Sequence, residues 1–155
     1  MANEKNTVYL ALGSNLGNRF FNIKDAIFRL FEFVTVREIS SIEETEPVGF
    51  ANQAKFLNCV IKGEATLSLR ELFEATSEIE KNMGRVPNFE KGPRLIDIDI
   101  LFFNNEIVNE QDLQVPHPRA SERKFVIKPM AEISPDFRHP SLDKTMKELL
   151  KDLKA

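Results

Sequence analysis

The chain has 155 residues, which predicts one domain over residues 1–155. It carries 21 lysines and arginines against 24 aspartates and glutamates, a formal net charge of −3. This charge argues against a dedicated nucleic-acid binder and against a polybasic membrane anchor. A chain of this length can fold without disulfides or a structural metal, and its single cysteine, Cys59, excludes an internal disulfide and a cysteine-cluster metal site. No apolar run approaches the ~20 residues of a membrane span and the first residues are polar, so we expect a cytoplasmic protein.

The apolar pattern predicts strands and a helix in the first half of the chain. Short apolar or alternating runs predict strands at residues 8–12, 34–39 and 56–61. Residues 19–32 carry apolar side chains at helical spacing, which predicts an amphipathic helix capped by Asn18. We expect Phe20 and Phe31 to lie on the buried face of that helix.

The second half opens with a stronger helix signal. Ser68 and Glu71 have the spacing of a capping box, and Gly84 is a suitable C-terminal cap for the helix that follows. Asn104-Asn105 is typical of a hairpin turn into residues 107–108. The pattern further predicts a strand, a short helix and a closing helix, at residues 96–103, 120–130 and 142–153.

This order of elements predicts the fold class. Strand, helix, strand, strand, helix, strand is the βαββαβ order of an α+β, ferredoxin-like fold with an antiparallel sheet. The C-terminal hairpin and helices are additions to that core, and we expect the extra helices to pack on the other face of the sheet. The fold by itself does not indicate a function.

Asp97 and Asp99 alternate with isoleucines in the predicted fourth strand. Because side chains two positions apart share a face, the two carboxylates lie about 6.6 Å apart along one side of the strand. Mg²⁺ bound to phosphate oxygens would relieve their repulsion. The alternative is a solvated strand face paired to nearby basic residues. Arg94 favours the metal interpretation, since a guanidinium beside such a site neutralises phosphoryl charge.

Basic residues are concentrated around these aspartates. In an acidic chain such a concentration favours a polyphosphate site, with an ordinary solvated patch as the alternative, which we prefer for Lys124 and Lys128. His117 lies in a stiff loop between two prolines and either binds a phosphate or ribose or has a structural role. The basic residues and this histidine are Lys81, Arg85, Lys91, Arg94, His117, Arg119, Arg123, Lys124 and Lys128.

The segment G-S-N-L-G-N at residues 13–18 lies between the first predicted strand and helix. Backbone amides in such a turn can bind an anion. The segment matches neither the P-loop nor the dinucleotide-binding fingerprint. We therefore interpret it as a structural turn.

Several segments, taken in order, carry a family resemblance. The most specific is G-P-R-L-I-D-I-D-I-L at residues 92–101. The others are L-A-L-G-S-N-L-G at 10–17, T-E-P-V-G at 45–49, F-L-N at 56–58, I-E at 79–80, M-G-R at 83–85, V-P-H-P-R at 115–119 and E-R-K-F-V at 122–126. With these motifs the chain resembles the 6-hydroxymethyl-7,8-dihydropterin pyrophosphokinases over about residues 8–136.

The resemblance implies a reaction, a metal and a set of site residues. The reaction is transfer of pyrophosphate from ATP to the hydroxymethyl oxygen of a reduced pterin, with release of AMP, in folate biosynthesis. Asp97 and Asp99 are implied to hold two Mg²⁺ ions, and Arg85 and Arg94 are implied to be catalytic. The positions implied to bind the pterin are Thr45, Val48, Phe56, Asn58 and Phe125. Those implied to bind ATP are Glu80, Arg85, Arg94, Ile100, Gln114, His117 and Arg123.

Two alternatives from other functional classes remain at this point. A non-catalytic, ferredoxin-like regulatory module that binds a small molecule would have the same fold, but it leaves the two aspartates beside Arg94 without a role. An RNA-binding module of the same strand order needs aromatic side chains on a central strand and a basic surface. We expect a monomer with no nucleic-acid or membrane partner.

Overall fold

The computed structural model describes residues 4–46, 54–84 and 94–154. The strands are β1 (Asn6–Ser14), β2 (Thr35–Ile39), β3 (Glu43–Thr45), β4 (Phe56–Ala65), β5 (Asp97–Phe103), β6 (Val108–Asn109) and β7 (Gln114–Val115). The helices are α1 (Arg19–Leu30), α2 (Leu69–Asn82), α3 (Lys124–Ile133) and α4 (Met146–Lys154), with a short 3-10 helix at Ala120–Glu122. No helix in these ranges is long and apolar enough to cross a membrane.

The main sheet has the strand order β2-β4-β1-β5, with β3 also paired to β4. Every pairing in it is antiparallel. Helix α1 connects β1 to β2, and helix α2 connects β4 to β5. This is the strand order and connectivity of the ferredoxin-like fold, so the predicted fold class is confirmed.

Alternation along β1 separates two hydrophobic cores. Val8, Leu10 and Leu12 point to one face of the sheet and pack with residues of α1 and α2. Tyr9 points to the opposite face and packs with residues of α3 and α4. The sheet is therefore covered on both faces, as we predicted for the C-terminal helices.

Strand β5 contains one extra residue opposite β1. Leu10 pairs with Ile100 and Tyr9 pairs with Phe102, which makes Leu101 the additional residue of a β-bulge. The carbonyl of Leu101 accepts a hydrogen bond from the His117 backbone N–H at 3.0 Å. The bulge thus fixes the loop after β7 to the sheet beside the aspartates of β5.

The predicted helix boundaries have the expected capping contacts. Asn18 caps α1 by accepting a hydrogen bond from the Phe21 N–H at 3.1 Å. Ser68 and Glu71 form the predicted capping box at α2, with both reciprocal hydrogen bonds present. Gly84 lies just beyond α2 with φ of 100°, a left-handed conformation that favours glycine at a helix end.

Two structural predictions are wrong. Phe20 and Phe31 were expected in the core but are 52% and 58% exposed, because smaller side chains of α1 already fill the contact with the sheet. The predicted hairpin from β5 is absent among the described residues. Asn104 hydrogen-bonds back to Thr7 through its backbone and side chain, and β6 pairs with β7 instead.

Candidate active site

The centre of the site is a row of paired residues on three neighbouring strands. On β4, β1 and β5, Asn58 pairs with Gly13, and Gly13 pairs with Asp97. Two pairs further along, on the same face, Ala11 is paired with Asp99. Directly paired residues point to the same face, so the small Gly13 and Ala11 leave a depression between larger polar side chains. A cavity of about 180 Å³ lies over this depression.

Gly13 is required by the close approach of its neighbours. A Cβ atom at this position would lie 2.7 Å from the Asn58 side-chain oxygen and 3.4 Å from the Phe56 ring. The first distance is too short for any real contact. Glycine therefore permits the Asn58 amide and the Phe56 ring to line the cavity floor.

Aromatic and amide groups form one end of the cavity. Phe56 begins β4 and Phe125 lies in the first turn of α3, and both half-buried rings line the cavity. The Asn58 amide donates a hydrogen bond to the Thr45 hydroxyl on β3, which fixes the orientation of that amide. Two aromatic faces and an oriented amide suit a flat heterocycle with donor and acceptor groups on its edge.

Charged groups form the other end of the cavity. Arg94 is 6% exposed, and its Nε lies 3.5 Å from Oδ1 of the half-buried Asp97. Asp99 lies on the same face and is more exposed. The alternation of β5 therefore places both carboxylates on the cavity face, as the sequence predicted.

The donor set of these carboxylates fits Mg²⁺. Among the residues that the structure describes, no group of three or more histidine, cysteine, aspartate or glutamate side chains could hold a metal ion by itself. Mg²⁺ is usually held by only one or two carboxylates, with substrate phosphates and water completing its octahedral shell. Asp97 and Asp99 match that requirement.

His117 and Arg123 also line the cavity. The His117 Nδ1 accepts a hydrogen bond from the Arg119 N–H at 3.3 Å, so a neutral imidazole carries its proton on Nε2. Burial, together with the positive charges of Arg123 and Arg119, lowers the pKa of His117. The Arg123 guanidinium lies 5.6 Å from the centroid of the Phe125 ring, at cation–π distance.

Residues 9–135 match the model of one protein family, 7,8-dihydro-6-hydroxymethylpterin-pyrophosphokinase (HPPK). The chain belongs to this family. It is 44% identical to the 2-amino-4-hydroxy-6-hydroxymethyldihydropteridine pyrophosphokinase of Aquifex aeolicus, over 92% of this chain and 89% of that protein. It is 46% identical to the enzyme of the same name from Bacillus subtilis, over 83% of this chain and 78% of that protein.

Longer relatives contain this HPPK domain as one part. The chain is 42% identical to the folic acid synthesis protein FOL1 of Dictyostelium discoideum but spans only 21% of its length. A solved structure of Plasmodium falciparum HPPK-DHPS with pteroate superposes with a TM-score of 0.79, over 98% of this chain and 43% of that one. At 16% identity this likeness supports the fold alone.

The structure brings most of the predicted HPPK site residues to one cavity. Nine of them line it: Thr45, Phe56, Asn58, Arg94, Asp97, Asp99, His117, Arg123 and Phe125. Ile100 instead packs in the core under α1 and α2, and Gln114 is exposed on β7. Val48 and Arg85 lie outside the described residues.

Glu80 lies behind β5 and does not line the cavity. It is 7% exposed on α2, and its Oε2 accepts the Ile98 N–H at 2.8 Å. Ile98 stands between the two aspartates, so this carboxylate holds the outer edge of the strand that carries them.

Sequence reasoning missed Asn15. We interpreted residues 13–18 as a structural turn, yet the buried Asn15 side chain accepts the Arg94 N–H at 2.6 Å and donates to the Ala54 carbonyl at 3.0 Å. Local pattern contains no signal for these contacts, since they join positions 79 and 39 residues apart in the chain.

Substitution of Gly13 by alanine should weaken binding of the flat substrate selectively. The added methyl group displaces the Asn58 amide and disrupts its hydrogen bond to Thr45, so we expect about a tenfold rise in the pterin KM. The ATP KM should change less than about twofold. Steady-state kinetics with each substrate varied will measure both values.

Gly63→Ala is the matched control for this prediction. A Cβ at Gly63 would lie 2.4 Å from a Val34 methyl group, so this change also strains β4, but away from the cavity. It should lower thermal stability and leave both KM values unchanged. A normal pterin KM in Gly13→Ala would contradict the role assigned to the row of paired residues.

Acidification should destabilise the protein through its two histidines. Burial lowers the pKa of His139, as it does that of His117. The unfolded chain therefore takes up protons near pH 6.5, above the pH at which the folded chain does. The contribution of the two histidines to the free energy of unfolding should be complete above about pH 7. It should decrease as the pH falls through about 6.5 towards the pKa values of the histidines in the folded chain.

Urea unfolding between pH 5.5 and 7.5 tests this dependence. Changing His117 to glutamine should make the pH dependence shallower, because one of the two groups is removed. His139 should then account for the pH dependence that remains in this variant. An identical pH dependence in the wild type and His117→Gln would show that His117 contributes nothing to it.

Proposed function

We propose that this chain transfers pyrophosphate from ATP to the hydroxymethyl group of 6-hydroxymethyl-7,8-dihydropterin, giving AMP and the pterin diphosphate, in folate biosynthesis. Membership of the HPPK family and a cavity with one aromatic end and one charged end support this activity. We further propose that residues 1–155 work as a single domain and a monomer, in the cytoplasm where ATP is available.

The observation that carries the proposal is the row Asn58, Gly13 and Asp97. Neighbouring strands lie about 4.8 Å apart, so Asn58 and Asp97 stand roughly 10 Å apart across Gly13. That spacing separates the amide that would bind the pterin edge from the carboxylate that would bind metal and phosphate. The substrate hydroxymethyl group would lie over Gly13, between the two groups.

The reaction requires one bond to form and one to break. The hydroxymethyl oxygen forms a bond to the β-phosphorus of ATP and loses its proton. The bond from the β-phosphorus to the oxygen that bridges the α- and β-phosphates breaks, and AMP leaves with that oxygen. Catalysis of this kind depends on alignment of the reactants and on neutralisation of phosphate charge.

Each end of the cavity supplies one of these requirements. Phe56 and Phe125 would hold the pterin ring between them, while Asn58, fixed by Thr45, would bind its edge. Bound at Asp97 and Asp99, two Mg²⁺ ions would neutralise and orient the phosphates. Arg94 would bind the phosphate that carries the developing charge, with its guanidinium buried beside Asp97.

Two further lining residues would hold the nucleotide. His117 would donate one hydrogen bond from Nε2, and Arg123 would contribute a positive charge beside it. By the family resemblance we assign further ATP contacts to Arg85, Glu80, Ile100 and Gln114. The last three lie outside the cavity lining, so contacts from them would be to parts of ATP that extend beyond the cavity. We assign Val48 to the pterin pocket on the same basis, and Arg85 as the second catalytic arginine.

Incubation of the protein with ATP, Mg²⁺ and 6-hydroxymethyl-7,8-dihydropterin tests the proposal. Mass spectrometry should detect AMP and the pterin diphosphate in equal amounts. ADP as the product would identify an ordinary kinase. Binding of both compounds with no turnover would favour the regulatory module instead.

A further inference from the structure

The side chain of Asn15 joins three parts of the fold. Asn15 follows directly after β1 and is 3% exposed. Its Oδ1 accepts the Arg94 N–H at 2.6 Å, and its Nδ2 donates to the Ala54 carbonyl at 3.0 Å. Its backbone N–H donates to the Arg94 carbonyl at 3.0 Å. One residue thus binds both backbone groups of Arg94 and the chain just before β4.

The two segments that Asn15 joins lead into opposite ends of the cavity. Ala54 stands two residues before Phe56, where β4 begins at the aromatic end. Arg94 stands three residues before Asp97, where β5 begins at the charged end. Asn15 therefore fixes the relative position of the two strand entries, with Gly13 of β1 between them.

Only an asparagine side chain makes both contacts at this length. Its carbonyl oxygen accepts and its amide nitrogen donates, on opposite sides of one planar group. Aspartate retains the acceptor for Arg94 and loses the donor to Ala54. Alanine loses both contacts and leaves the buried Arg94 N–H without its side-chain acceptor, which costs stability as well as position.

We infer that Asn15 is a positioning residue for the transfer reaction. It fixes the position of Arg94 next to Asp97, and it fixes the start of β4 relative to Arg94. This inference rests on the proposed function. Arg94 Nε lies 3.5 Å from Asp97 Oδ1, and a displacement of about 1 Å in such a group can cost about 10²-fold in rate. Asn15 acts through the backbone of Arg94 and of Ala54, without a role in the chemistry itself.

Asn22, near the start of α1, is a matched control. It is 7% exposed, and its Nδ2 donates to the Leu16 carbonyl at 2.8 Å and to the Ser14 hydroxyl at 3.3 Å. Those partners are the last residue of β1 and a residue of the turn between β1 and α1. Asn22→Ala therefore removes hydrogen bonds of a buried asparagine without removing the contacts to Arg94 and Ala54.

The experiment compares Asn15→Ala, Asn15→Asp and Asn22→Ala. In Asn15→Ala, kcat should fall by about 10²-fold and the pterin KM should rise, while Asn22→Ala shows a similar loss of Tm with kcat within about twofold of the wild type. In Asn15→Asp, part of kcat should return, because the acceptor for Arg94 remains. The pterin KM of Asn15→Asp should stay about tenfold raised, because the contact to Ala54 is lost.

Two measurements decide the inference independently of turnover. Hydrogen exchange by NMR should show the Arg94 amide protected in the wild type, Asn15→Asp and Asn22→Ala, and unprotected in Asn15→Ala. Calorimetry with a non-hydrolysable ATP analogue and Mg²⁺ should show weaker binding in Asn15→Ala than in Asn22→Ala. If the wild type forms no AMP, the proposed function fails, and these two measurements still test whether Asn15 positions Arg94.

Three results would overturn the inference. The first is a kcat for Asn15→Ala equal to that of Asn22→Ala, which would make Asn15 a stabilising residue only. The second is an Arg94 amide that stays protected in Asn15→Ala. The third is a pterin KM for Asn15→Asp equal to that of the wild type. This result tests the inference even if Asn15→Ala does not fold.

Discussion

Replacement of Asp97 or Asp99 by asparagine should lower Mg²⁺-dependent AMP formation by about 10³-fold or more. Each change keeps the size of the side chain and removes one of the two negative charges on the cavity face of β5. Asp99 is exposed, so Asp99→Asn should change the folded structure little. AMP release followed over a range of Mg²⁺ concentrations will measure the loss.

Glu122→Gln is the control for this prediction, since Glu122 is an exposed carboxylate outside the cavity lining. It should retain wild-type turnover. Mn²⁺ titration with an ATP analogue should saturate at two ions in the wild type. Near-normal turnover in Asp97→Asn and Asp99→Asn would remove the metal assignment, and saturation at one ion would reduce the proposed pair to a single ion.

Substitution of Arg94 by alanine should lower kcat by roughly 10²–10⁴-fold, a range typical of a group that stabilises charge in a phosphoryl-transfer transition state. The ATP KM should rise much less, because the interaction strengthens as the charge redistributes. Arg94→Lys should recover only a small part of kcat, since an ammonium group cannot reproduce the planar guanidinium fork. Steady-state kinetics and single-turnover measurements will separate the two effects.

Lys124→Ala is the control for the loss of positive charge. Lys124 is an exposed base at the start of α3, close in sequence to Arg123, and the sequence favoured a solvated role for it. Its removal should leave kcat unchanged. A rise in the ATP KM of Arg94→Ala with an unaltered kcat would show that Arg94 binds ATP without assisting the transfer.

Local pattern was sufficient for much of the fold. Alternation along β1 and β5 and the capping box at Ser68 depend on neighbours in sequence, so their outcome could be predicted without knowledge of the rest of the chain. The same pattern failed for Phe20 and Phe31. Helical spacing predicts which residues share a broad face, whereas the sheet decides how much of that face it covers.

The sequence by itself determined the order of the elements, the shared face of Asp97 and Asp99, and the residues that carry the family resemblance. These properties follow from the strand period and from local motifs. Only the tertiary structure decided that Gly13 is the gap between Asn58 and Asp97, and that Asn15 binds Arg94 and Ala54. Those contacts depend on strand register and on chain segments far apart in sequence, and neither is encoded in local periodicity.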